Sequence, residues 1–413
     1  MATVRRSPTL AANERVQVKL AAGRPVIHLA FGEAGLPLHP HLERWLADGA
    51  AKHGYPPVAG TASLRAAAAG YFERRRLPTV PETVIIGPGS KPLLFALMLA
   101  LDGDLVLPTP SWVSYEPQAQ LAGKRVIRVA IPDEAGGVPD PDLLEDAIAA
   151  ARSGGARPAI MLLTTPDNPT GTVASRSLLA RVCAIARSEG LLVVSDEIYR
   201  DLAHVPSEFV SPAELYPEAT VVTGGLSKSL SVGGWRLGFA RMPQNEAGSE
   251  LMARVADLAS EIWSGVSAPV QEAAATALQE PAEIADYVAR GRELHARVAR
   301  ALHAVVVEQA GRCRAPQGGF YLYPELSAPA FTSATSLAEF LLDRHDIAVL
   351  PGEAFGDDEA RLRFRLASSL LYGANDDQRW QALSAAEPEK LPWIASALER
   401  VGAALADARR NRS

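Results

Sequence analysis

Lys228 stands in the run Gly224-Gly225-Leu226-Ser227-Lys228-Ser229-Leu230-Ser231-Val232-Gly233-Gly234-Trp235-Arg236. Small residues surround it, and a short apolar run, Thr220-Val221-Val222-Thr223, leads into it. A lysine kept for solubility needs no such setting. A lysine that forms an imine with a carbonyl group needs a crowded approach and partial desolvation, which favours the neutral amine. Arg236 follows eight positions later. Its guanidinium suits a phosphate carried by the same carbonyl compound.

Other residues offer complementary chemistry. The apolar run Leu191–Ser195 ends in Asp196-Glu197-Ile198-Tyr199. At the carboxyl end of a parallel strand, Asp196 points toward a ligand and can hold a ring nitrogen protonated. Tyr199 can reach a ring hydroxyl. The alternative is that Asp196 only caps the next turn. Thr164-Thr165-Pro166-Asp167-Asn168-Pro169-Thr170-Gly171 follows another apolar run. Its prolines and glycine stiffen a turn that presents Asn168 as a neutral donor, or the string serves the backbone alone.

Gly87-Pro88-Gly89-Ser90-Lys91 joins a strand to a helix start, where free N–H groups and a hydroxyl suit a phosphate. Trp112 follows a strand end, placed either to stack on a planar ring or to pack. In Arg361-Leu362-Arg363-Phe364-Arg365-Leu366, alternation places the arginines on one strand face. One of them can grip a carboxylate while the others are surface charge.

These residues need a frame. Candidate strands are Val84–Ile86, Asp104–Leu107, Val126–Val129, Ala159–Leu163, Leu191–Ser195, Thr220–Thr223 and Leu237–Ala240. Most are continuous apolar runs, as expected of strands covered on both faces. Helix candidates at Ser63–Arg76, Lys91–Leu101, Pro141–Arg152 and Ser175–Ser188 alternate with them. The pattern predicts an α/β fold: a seven-stranded, mostly parallel sheet with helices on both faces, plus a smaller α+β domain. Beyond residue 245 the chain turns to long helices at 246–261 and 268–310, then short strands at Gly319–Tyr323, Ala348–Leu350 and Arg361–Leu366, then helical stretches at Gln378–Ala385 and Leu391–Arg409. A loop is expected at 388–392. The expected large domain covers 46–285, and 1–45 with 286–413 form the small one.

Composition excludes other classes. A net charge of −6 and a pI near 5.8 argue against a nucleic-acid-binding surface as the main business. Cys183 and Cys313 give no CxxC spacing or disulfide framework, which fits a reducing compartment. The Met1–Pro8 stretch has two arginines but no apolar segment after it, so no secretory signal is expected. The longest apolar run, Pro92–Leu101, is too short for a bilayer. The expected location is cytoplasmic.

The order is phosphate turn, aromatic, asparagine turn, aspartate–tyrosine, lysine and arginines. It resembles the fold-type-I pyridoxal-phosphate enzymes of the class I/II aminotransferases, from about Ile27 to Ser369. By that resemblance Lys228 is the Schiff-base lysine and the proton carrier, and Asp196 is the partner of the pyridine nitrogen. Asn168 and Tyr199 are the ring-hydroxyl donors and Trp112 is the stacking aromatic. Ser90, Lys91, Ser227 and Arg236 fall at the phosphate cup, Ser90 and Lys91 through backbone N–H groups. Gly32, in Phe31-Gly32-Glu33, falls at the turn over the substrate carboxylate. Arg363 is preferred over Arg365 as the carboxylate grip because it lies four residues before Ala367. Trp112 and Asn168 also border the substrate.

Tyr55, in His53–Gly60, matches the tyrosine that crosses to a neighbouring subunit's phosphate, so a homodimer with shared sites is implied. Thr164 and Ala34 depart from the family's usual asparagine and proline and are placed at the pocket edge. Trp263 and Leu36 are read as pocket walls favouring neutral or aromatic substrates.

The implied function is transfer of an amino group from an L-amino acid to a 2-oxo acid, with pyridoxal 5′-phosphate as cofactor. The alternative is elimination, cyclisation or oxidation on the same scaffold. A transcription regulator of this kind would need a DNA-binding domain, and about 50 residues precede Tyr55.

Overall fold

The computed structural model describes residues 8–309 and 311–411. All but Pro8 of the Met1–Pro8 stretch read for a leader lies outside them, as does Ala310 at the end of the expected 268–310 helix.

Seven strands form the central sheet: β1 (Val84–Gly87), β2 (Asp104–Thr109), β3 (Val126–Ala130), β4 (Pro158–Thr164), β5 (Leu192–Asp196), β6 (Thr220–Gly225) and β7 (Gly238–Arg241). Their order is β1-β7-β6-β5-β4-β2-β3. Every pairing is parallel except those of β7, which runs antiparallel to both β1 and β6. The sequence explains the strands directly. Ile85, Ile86, Leu162, Leu163, Val193, Val194, Val221 and Val222 are all buried, because helices cover both faces.

Helix starts follow capping rules. Asp140 caps Pro141–Ser153 through Asp142 N, and Ser175 caps Arg176–Ser188 through Leu178 N. Helix Ser90–Ala100 differs, because Gly89 precedes it with no side-chain cap. Its first amides face the site.

The expected 268–310 helix is two helices, Ala268–Ala277 and Ala282–Glu308. Pro281 has no N–H to continue the ladder, and Glu280 turns to φ +56° just before it. The expected domain limit at 285 falls inside the second helix.

A second sheet holds β8 (Tyr321–Leu322), β9 (Leu350–Pro351) and β10 (Phe364–Ala367) in the order β9-β10-β8, all antiparallel. Ile27–His28 pairs in parallel with Ile347–Ala348, so the N-terminal segment has a strand partner that the sequence did not suggest. The expected loop at 388–392 is a 3-10 turn, Pro388–Lys390, followed at once by helix Pro392–Arg410.

Among the described residues no helix is long and apolar enough to cross a membrane.

Candidate active site

The carboxyl ends of the parallel strands converge in register. Thr164 lies opposite Asp196, and Asp196 opposite Thr223. A cavity of about 420 Å³ opens above them. It gathers residues from widely separated parts of the chain: Gly32, Ser90, Lys91, Trp112, Asn168, Asp196, Tyr199, Ser227, Lys228 and Arg236. Arg365, Tyr321, Tyr115, Phe31 and Glu33 join them, with Thr9 and Leu10 from the helix Pro8–Ala21.

Lys228 lies three residues past the end of β6. Its Nζ donates to Gly32 O at 2.6 Å and stands 5.9 Å from the Tyr199 ring centroid. Burial lowers its pKa from 10.5 to about 8, and the Arg365 guanidinium adds to that effect. Roughly a tenth of the amine is therefore neutral at pH 7, far more than for an ordinary lysine.

Asp196 is 2% exposed. Its Oδ2 accepts the Tyr115 hydroxyl at 2.9 Å, and its Oδ1 accepts from Thr223 Oγ1 and from Ile198 N at 3.3 Å each. Burial pushes its carboxyl up to about 6, and these three donors oppose the rise. A cation facing Asp196 would offset the desolvation that burial imposes.

The end of the cavity near Arg236 is built by backbone shape. Arg236 adopts φ +54°, and its Nη1 donates to Gly233 O at 2.7 Å. A Cβ on Gly89 would lie 2.4 Å from Arg236 Nη2, so only glycine, at φ +100°, leaves room for the guanidinium over this turn. Gly238 meets the same turn from β7, where a Cβ would lie 2.5 Å from Ser90 N. Uncapped amides at a helix start, one guanidinium and the Ser90 and Ser227 hydroxyls suit a phosphate. Lys91 Nζ lies 5.0 Å from the Trp112 ring centroid, exposed at the cavity mouth.

Asn168 Oδ1 accepts from Arg365 Nη1 at 2.9 Å, and Arg365 Nη2 donates to Ala30 O at 2.7 Å. Arg365 is 1% exposed, its Nε has no partner, and it forms no ion pair among the described residues. A buried guanidinium without a counter-ion calls for an anionic ligand.

The chain matches the family model for aminotransferase class I and II over residues 26–370. It belongs to the class I and II aminotransferases. The aspartate aminotransferase of Bacillus subtilis (strain 168) is 31% identical over 381 residues, covering 88% of this chain and 92% of the relative. The aspartate/prephenate aminotransferase of Cereibacter sphaeroides is 31% identical over 392 residues, covering 90% and 94%. The solved aspartate aminotransferase of Thermus thermophilus with maleate superposes with a TM-score of 0.83 at 28% identity, covering 97% of both chains. As in those relatives, the α/β fold carries the aminotransferase activity expected of the family.

Several sequence expectations about this aminotransferase need correction. Arg363 lies outside the cavity. Its Nε is 2.8 Å from Glu325 Oε2 and its Nη1 is 3.3 Å from Asp357 Oδ2, so its charge is already matched. The strand starts only at Phe364, and Arg363 N bonds Arg361 O in a tight turn, which breaks the assumed alternation. Arg365, in the strand proper, is the arginine that lines the cavity. Counting back from Ala367 misled because two arginines stand before it.

Thr164 is not at the pocket edge. It is buried behind Tyr115, with the two hydroxyls 2.8 Å apart. Ala34 packs in the core beside Tyr199 and Tyr321. Neither Trp263 nor Leu36 lines the cavity. Leu36 is core, and Trp263 packs on the cluster around Leu97 and Val255. The argument for a neutral or aromatic substrate therefore loses its basis.

Tyr55, expected at a neighbouring subunit's phosphate, is fully exposed on this chain beside a separate hollow near Gly54 and Gly265. Sequence reasoning assigned no part to Tyr115, Tyr321, Thr9 or Leu10, all of which line the cavity. The Trp-x-x-Tyr spacing of 112 and 115 could have signalled the first.

Proposed function

We propose that the cavity binds pyridoxal 5′-phosphate and that the chain moves an amino group from an L-amino acid to a 2-oxo acid in two half-reactions. The observation that carries this reading is the convergence of Lys228, Asp196, Arg236 and Arg365 on one cavity, each with chemistry matched to a different part of the cofactor or substrate. Arg236, the Ser90 and Lys91 amides and Ser227 would hold the phosphate. Asp196 would face the ring nitrogen, Asn168 and Tyr199 the ring hydroxyl, and Trp112 the ring plane. Bound there, the cofactor supplies a carbonyl carbon and a ring that withdraws electrons from the substrate's α-carbon.

The chain's own residues do the rest. Arg365 takes the substrate α-carboxylate, with Asn168 fixing the guanidinium. Lys228 Nζ, its pKa lowered to about 8, would take the α-proton of the donor and hold it for the 1,3-proton transfer that transamination requires. Asp196 stays ionised above about pH 6 and holds positive charge on the ring. The Gly32 carbonyl holds Lys228 Nζ on the cavity side.

Lys91 is the remaining cavity cation, and it has no ion pair among the described residues. A second substrate carboxylate would pair with it, so the favoured donor is a dicarboxylic amino acid such as aspartate, the substrate named for the relatives. We read Tyr55 as contributing to a partner's site in a homodimer, and the divide near 46–285 as the cofactor-binding unit.

The test is a screen of common amino acids against the cofactor-loaded protein, following loss of its visible absorbance and formation of the 2-oxo acid. Conversion by aspartate or glutamate is expected. Release of ammonia with no pyridoxamine 5′-phosphate formed would overturn transamination.

A further inference from the structure

Tyr321 touches three residues of the site, Tyr199, Arg365 and Gly32. Its hydroxyl lies 2.7 Å from the Tyr199 hydroxyl, and the two rings meet edge to face at 5.4 Å and 80°. Its ring face lies 4.7 Å from Arg365 Cζ, and Phe355 covers the guanidinium at 5.2 Å. A Cβ on Gly32 would fall 2.2 Å from Tyr321 Oη, so the glycine that receives Lys228 is also shaped around this hydroxyl. Tyr321 is 1% exposed and paired with Ala367, two residues from Arg365.

The hydrogen bond between the tyrosines has a preferred direction. A cation over the Tyr321 ring draws density from it and makes its hydroxyl the better donor. If Tyr321 donates to Tyr199, the Tyr199 proton is free to point into the cavity. Tyr199 is the partner of the Tyr321 hydroxyl among the described residues.

We propose that Tyr321 is a positioning residue that sets two groups at once: through its hydroxyl it orients the Tyr199 proton toward the cofactor's ring hydroxyl, and through its ring face it fixes Arg365 for the substrate carboxylate. This rests on the reading of the cavity given above. The two halves separate by substitution. Tyr321→Phe removes the hydroxyl and keeps the aromatic face. Tyr321→Leu removes both.

The experiment uses the full-length protein loaded with pyridoxal 5′-phosphate and the best donor found in the amino-acid screen. A donor aimed at the ring hydroxyl favours its ionised form, so losing that aim raises the pH midpoint of the bound cofactor's visible absorbance. Tyr321→Phe should raise the midpoint in the same direction as Tyr199→Phe and lower kcat about 3- to 10-fold, with KM unchanged within about twofold. Tyr321→Leu should add a rise in donor KM of about 5- to 30-fold. The double variant Tyr199→Phe with Tyr321→Phe should match Tyr199→Phe alone, because Tyr321's hydroxyl acts through Tyr199.

A Tyr321→Phe midpoint equal to wild type, or effects that add in the double variant, overturns the hydroxyl half. Equal donor KM for the Phe and Leu variants overturns the ring half. Failure of the wild-type protein to gain visible absorbance with pyridoxal 5′-phosphate overturns the cofactor reading itself and the proposal with it, and that outcome is seen before any variant is made.

Discussion

The Tyr115 hydroxyl is shared between Asp196 and Thr164, at 2.9 Å from the carboxylate and 2.8 Å from the threonine hydroxyl. Bonding to the ionised form lowers a carboxyl pKa, so this contact opposes the burial that pushes Asp196 up to about 6. Tyr115→Phe should therefore move the acid limb of cofactor affinity to higher pH and weaken binding at pH 6 about 3- to 10-fold. Titration of the apoprotein with pyridoxal 5′-phosphate across pH 5–8 measures both. An unmoved limb would mean that the bond serves packing alone.

Asp196 also sets a stability slope for the cofactor-free protein. Its folded-state carboxyl sits above the ordinary value of 3.8. Its contribution is fully present below that value and is lost as pH rises through about 6. Asp196→Asn should flatten this part of the melting temperature profile while lowering turnover by at least 10²-fold, on the order of a lost charge interaction at the reacting centre. Calorimetry of both apoproteins from pH 4 to 7 decides it.

Lys228 reacts as the neutral amine, so its rate of cofactor capture should rise with pH and level off above about 8. An ordinary lysine would keep gaining toward 10.5. Stopped-flow absorbance after mixing apoprotein with cofactor gives this profile. Lys228→Ala should lose both the visible band and turnover, the latter by about 10²–10⁴-fold or more. Retained transfer by that variant would remove the lysine from the mechanism.

The two arginines of the 363–365 segment should behave oppositely. Arg365→Ala should raise KM for donor and acceptor by about 10²-fold, since a buried charge-assisted contact is lost. Arg363→Ala should leave both KM values within about threefold and cost only the surface-type ion pairs to Glu325 and Asp357. Steady-state kinetics on the pair tests the assignment; the reverse pattern would restore Arg363.

Lys91→Ala should raise KM for aspartate about 10-fold or more and change KM for a neutral donor by less than about threefold. A uniform change across donors would place Lys91 with the phosphate instead.

Much of the site was legible because each residue sits beside a local signal. Asp196 follows an apolar strand, Asn168 lies between prolines, Lys228 and Arg236 flank glycines, and Ser90 opens a helix after Gly89. Such signals survive in a one-dimensional reading because backbone geometry writes them into neighbouring residues. What the sequence hid depends on tertiary contact. Arg363 and Arg365 differ by which carboxylates lie across from them: Arg363 meets Glu325, 38 residues away in the chain, and Asp357, six residues away across a loop. Tyr321 announces nothing locally; its part comes from Tyr199, Arg365 and Gly32 meeting around it. Pro281 was visible, yet its neighbours' strong helical pattern masked the break it makes.

The reversed course of β7 has a mechanical consequence. The chain rises along β6, delivers Lys228, crosses over and descends along β7 directly after Arg236. One connection therefore carries both the proposed covalent anchor and the proposed phosphate anchor. The two lie eight positions apart on one connection between two hydrogen-bonded strands. A cofactor seated on that return would be held to a fixed span like a workpiece in a jig, while Arg365 meets it from the other sheet, clamped by Asn168 and the Ala30 carbonyl.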